Sequence, residues 1–71
     1  MNKPFDFIGH LGMNYVFIEE ELEKRGFTVE SVDSDNNFVF KVYKSSPVIH
    51  HIHAKYRKSE HGCFADSFII Y

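Results

Sequence analysis

Leu22-Glu23-Lys24-Arg25-Gly26-Phe27-Thr28-Val29-Glu30-Ser31 is the stretch in which the periodicity of the chain changes, and that change decides the fold. Before Gly26 the apolar residues Leu11, Tyr15, Ile18 and Leu22 recur at steps of four, three and four, the spacing that lines one face of a helix. After Gly26 apolar and polar residues alternate, as in a strand with one buried side. A glycine at this junction suits the left-handed backbone just beyond a helix end. The pattern predicts one amphipathic helix that turns directly into a sheet.

Upstream, the helix is expected over residues 14–25. The Asn14 side chain can accept an orphan amide at the N-terminus. Glu19, Glu20 and Glu21 precede Lys24 and Arg25, an order that suits the helix dipole and allows Glu20–Lys24 and Glu21–Arg25 pairs. Phe27 can close back onto Leu22. Pro4-Phe5-Asp6-Phe7-Ile8 fits either a short helix or an extended segment, with Gly9 and Gly12 as interruptions. Its apolar residues are expected to pack down rather than face water.

Downstream, Phe27 to Ser31 reads as a first strand, Asp33 to Asn37 as a turn, and Phe38 to Lys44 as a second strand. Ser45-Ser46-Pro47 predicts a tight return into a third strand, Val48 to Tyr56, and Arg57 to Gly62 leads to a last strand, Phe64 to Tyr71. With the first turn centred on Asp35-Asn36, Val29 faces Val42 and Glu30 faces Lys41. Pairing Val42 with His50 and Phe40 with Ile52 then keeps one side apolar. The predicted fold class is α+β: one amphipathic helix on one face of an antiparallel three- to four-stranded meander, in a single small domain spanning residues 1–71.

Composition narrows the function classes. Hydrophobic residues at 44% and charged residues at 25% describe an ordinary globular chain, with eight Phe and four Tyr to fill a small core. One cysteine allows no intrachain disulfide and fits a reducing, cytoplasmic setting. No apolar run approaches the roughly 18 residues of a membrane span, so no membrane association is expected. The net charge of −2 conceals an asymmetry: residues 1–40 sum to −5 and residues 41–71 to +3.

The chemistry-bearing residues cluster late. His50, His51, His53, His61 and Cys63 fall within fourteen positions. His51 and His53 point to the same side of a strand, a spacing able to chelate a divalent ion, but His61 and Cys63 lie roughly 10 Å further along the strand. No four-ligand metal site, and no cofactor, is therefore expected. His50 is placed on the apolar side as a buried neutral imidazole, with Asp66 opposite it or His53. No nucleophile beside a base and no phosphate loop is recognisable, so the chain reads as non-enzymatic, with a histidine-dependent small nuclease as the remote alternative.

In the predicted register the uncovered side of the sheet carries Lys41, Tyr43, His51, His53, Lys55 and Arg57. That surface suits a protein partner or, in the second reading, a nucleic-acid strand stacked on aromatics among cations. The helix offers a rival acidic face of Glu19, Glu20 and Glu23. Phe68-Ile69-Ile70-Tyr71 is apolar on both sides, which suggests a homodimer through the C-terminal strand. The function expected is that of a small non-enzymatic binding module docking on a macromolecule, of the regulator or phage- or mobile-element-encoded inhibitor type.

Overall fold

The computed structural model of the protein describes residues 5–45, 47 and 50–71. The described residues form a single helical turn α1 (Phe7–His10), the helix α2 (Tyr15–Lys24) and four strands, β1 (Phe27–Ser34), β2 (Phe38–Ser45), β3 (His51–Ser59) and β4 (Gly62–Ile70). The strands pair antiparallel in the order β1-β2-β3-β4, an open meander with α2 against one face. The α+β class read from the periodicity is the class observed.

The helix forms where its signals lie. Asn14 Oδ1 accepts from the Val16 amide at 3.0 Å, so the cap is the expected one. Gly26 follows the C-cap with φ +85° and donates to the Glu23 carbonyl at 3.0 Å. Ile18 and Leu22 are fully buried against the sheet, each contributing about 1.5–3 kcal/mol of apolar burial. Leu11 departs from the expectation: it ends α1, outside α2, and stays exposed. Of the two expected ion pairs, Glu21–Arg25 forms at 3.1 Å, while Lys24 pairs with Glu21 at 3.4 Å rather than with Glu20.

The residues ahead of α2 complete one edge of the sheet. Asp6 caps α1 by accepting from the Gly9 amide, so Gly9 sits inside a helical turn instead of breaking one. The Gly12 amide donates to the Ala65 carbonyl and the Ala65 amide to the Met13 carbonyl, at 2.9 and 2.8 Å, which closes part of the outer edge of β4. Phe5 and Phe7 pack edge-on against Phe68. The N-terminal segment thus covers Phe68 within the monomer.

The register differs from the predicted one, and the difference exchanges the two faces of β2. Glu30 forms a bulge, so Val29 lies opposite Tyr43, and Val42 lies opposite Ser31. On the other side Val42 faces His53 and Phe40 faces Lys55, three residues further along β3 than the apolar pattern suggests. An odd shift turns every side chain over. The Ser45 amide donates to the His50 carbonyl, and β3 runs from His51. Positions 48 and 49 of the expected strand lie outside the described residues. His50 is exposed and precedes β3, so it is not a core imidazole.

The helix-covered layer therefore contains Ile18, Leu22, Phe27, Tyr43, Ile52, Ala54, Tyr56 and Ala65. It also holds polar groups. The hydroxyls of Tyr43 and Tyr56 share a hydrogen bond of 3.0 Å, and burial raises the pKa of both phenols, that of Tyr56 to about 12. Lys41 Nζ reaches Glu19 Oε1 at 2.7 Å and stands 4.2 Å from the centre of the Tyr15 ring, joining sheet to helix. Among the described residues no helix is long and apolar enough to cross a membrane.

Candidate functional site

Because Tyr43, Ile52, Ala54 and Tyr56 take the covered side, strand alternation assigns the intervening residues to the open side. The cross-strand pairs Phe38–Arg57, Phe40–Lys55, Val42–His53 and Lys44–His51 run along its middle, with Ile69 beside His53 and Ser67 beside Lys55. A shallow depression of about 180 Å³ lies here, lined in part by Phe40, Val42, His53, Lys55, Ser67 and Ile69. Its walls are apolar at the centre and cationic at one end.

Four of the six residues predicted for this surface are on it: His51, His53, Lys55 and Arg57. Lys41 and Tyr43 are not. Lys41 is committed to Glu19, and Tyr43 is in the core. Phe38, Phe40, Val42 and Lys44 stand in their place. The rival acidic face changes for the same reason, since Glu19 is held by Lys41 while Glu20 and Glu23 remain exposed.

The cations of the open side are partly answered by acids. A bulge in β4 frees Asp66 to reach Lys55 at 3.6 Å and Arg57 at 3.4 Å, rather than orienting a histidine. Lys44 pairs with Glu30 at 3.6 Å. Lys55 Nζ also lies 4.0 Å from the centre of the Phe38 ring, with the Arg57 guanidinium 5.6 Å from it. These contacts hold the aromatic and both cations in one cluster, each worth on the order of 0.5–1 kcal/mol at a wet site.

At the other end of the same side, the Nε2 atoms of His51 and His53 are 3.3 Å apart, one imidazole donating to the other. Tyr71 leans on both rings, 4.7 Å from His53 and 5.8 Å from His51. His61 and Cys63 lie at the β3–β4 hairpin, at the opposite end of β3 from His51. Desolvation, the Lys44 ammonium and His53 push the His51 pKa below its usual value. Folding thus disfavours the imidazolium. The associated stability is present above about pH 6.5 and is lost as pH falls below it. Thermal melts between pH 7.5 and 5 should show a falling Tm, and His51→Gln should flatten that slope. An unchanged slope in the variant would remove His51 as its source.

No family model matches this chain, and no curated protein or solved structure matches it either.

Proposed function

We propose that this protein is a non-enzymatic binding module that docks on a protein partner through the open side of its sheet, acting as a small regulator or inhibitor. The observation that carries this reading is the register, which leaves Phe38, Phe40, Val42 and Ile69 without a helix over them. An apolar, aromatic centre bounded by Lys44, Lys55 and Arg57 has the anatomy of a protein interface, in which aromatics and arginine supply most of the affinity. An acidic rim on the partner would complement it.

Nucleic acid is the second use of the same surface, supported by the Phe38 ring close to both Lys55 and Arg57. It is the weaker reading. Lys41 is withdrawn to Glu19, and Lys44, Lys55 and Arg57 each face a carboxylate that phosphates would have to displace. Self-association through β4 belongs to the same proposal, because Ile69, Ile70 and Tyr71 are all exposed there.

Capture from a lysate by the immobilised chain, with and without nuclease, tests the reading when paired with surface variants. A partner docked on the open side should survive nuclease. It should also be lost, by about tenfold or more in affinity, in Ile69→Glu and Arg57→Glu. The double variant Glu20→Lys/Glu23→Lys should retain it. Capture that vanishes with nuclease assigns the surface to nucleic acid. Capture lost only in the helix variant moves the interface to the acidic face.

A further inference from the structure

We propose that His51 and His53 form a two-nitrogen chelate for a zinc-class divalent ion on the open side of the sheet. The inference rests on a distance. Zinc–imidazole bonds of about 2.0–2.1 Å at a tetrahedral angle place the two nitrogens about 3.3–3.4 Å apart, against roughly 3.0 Å for neighbouring positions of an octahedron. The Nε2 atoms of His51 and His53 are 3.3 Å apart. That separation matches the bite of a tetrahedral ion, while the pair itself is joined by a hydrogen bond.

The fold holds it there by ordinary means. Residues two apart on a strand project to one side, and the register of β3 between β2 and β4 makes that side the open one. The ring of Tyr71 packs against both imidazoles, while its amide donates to the His51 carbonyl at 2.8 Å, fixing the C-terminal end of the chain beside the pair. Lys44, which lies across from His51, would repel a cation, but Glu30 accompanies its ammonium at 3.6 Å. In the metal-free pair the two nitrogens share one proton, with one imidazole as Nε2–H donor and the other as acceptor. Binding an ion would require the donor imidazole to carry its proton on Nδ1 instead, which frees its Nε2 lone pair, and small rotations of both rings would then aim the two Nε2 lone pairs at the ion.

Among the described residues no group of three or more histidine, cysteine or carboxylate side chains gathers around a common point. The pair would thus supply two ligands, and the remaining positions would be open to water or to a donor from whatever docks there. Such a site is not a structural one, because structural zinc is enclosed by four protein ligands. Its affinity would come from chelation. Once one imidazole binds, the second sees the ion at high effective concentration, so losing either should cost about a hundredfold in affinity.

Titration of the intact chain with zinc chloride by calorimetry tests the site, together with NMR of the imidazole nitrogens. One saturable site should be seen, with the Nε2 resonances of His51 and His53 shifting together. His51→Ala and His53→Ala should each lower the affinity about a hundredfold. His50→Ala and His61→Ala should leave it unchanged, since both residues are exposed and outside the pair. The NMR shifts are read on the unaltered protein, so a variant that folds poorly does not obscure the answer. Absence of saturable binding, or zinc-induced shifts at His10, His50 or His61 in place of the pair, would overturn the proposal.

Discussion

Tyr56→Ala is expected to leave the chain unfolded at room temperature. Tyr56 is fully buried, its ring lying edge-on to Tyr15 and Phe68 and its hydroxyl bonded to Tyr43. Truncating a buried aromatic costs about 3–5 kcal/mol, because the cavity collapses only in part. The change also strands the Tyr43 hydroxyl inside the core, which adds about 1–3 kcal/mol. A domain of this length has only about 4–11 kcal/mol to lose. Far-ultraviolet circular dichroism should show the loss of sheet signal, and urea titration should show no cooperative transition. Tyr56→Phe and Tyr43→Phe isolate the hydroxyl pair. Each should destabilise by about 1–2 kcal/mol, and the double variant by clearly less than their sum, because the second deletion no longer strands a partner. Strict additivity would mean that the two hydroxyls do not meet.

That buried tyrosine pair also shows what was and was not legible in the sequence. The helix could be read almost to the residue, because its signals are local: a side-chain cap at Asn14, apolar residues at helical spacing, and glycine at position 26. The existence of the strands was legible for the same reason, whereas a last segment apolar on both sides leaves its place in the sheet open. Register was not legible. In β2 both alternating sets are largely apolar, Phe38, Phe40 and Val42 on one side and Val39, Lys41 and Tyr43 on the other. Hydrophobicity alone favours burying the first set. The fold buries the second, because Tyr43 finds a hydroxyl partner and Lys41 finds Glu19, both across long separations in the chain. A bulge at Glu30 and another at Asp66 leave no mark in composition, yet each resets the pairing beyond it. The candidate site inherits this division. Its β3 half, from His51 to Arg57, is evident from strand alternation, whereas its β2 half is the side of the strand opposite to the one the alternation suggests.

The exchange of faces also changes what a charge reversal at position 41 would do. Lys41→Glu, in the predicted register a test of binding, is expected instead to collapse the fold. The lysine side chain is only 12% exposed and its partner Glu19 25% exposed. Removing one member of a partly buried pair leaves the other charge uncompensated and costs about 3–5 kcal/mol, and placing a second carboxylate beside it adds repulsion in a poorly solvated setting. The stacking of Lys41 Nζ on Tyr15 is lost as well. Thermal melting should therefore show a fall of tens of degrees, since about 1 kcal/mol shifts Tm by roughly 4–8 °C in a domain of this size. Arg57→Glu, on a side chain that is 67% exposed, should stay close to the parent. Two compensated variants separate the ion pair from packing. The swap Lys41→Glu/Glu19→Lys should recover much of the loss, and Lys41→Met/Glu19→Leu should melt near the parent, because well-packed apolar residues replace such pairs at little net cost. If Lys41→Glu melts with the parent while abolishing partner binding, Lys41 faces the partner after all and the register of β2 is wrong. If it unfolds and the swap restores it, the open side of the sheet belongs to Phe38, Phe40 and Val42, and binding has to be probed there.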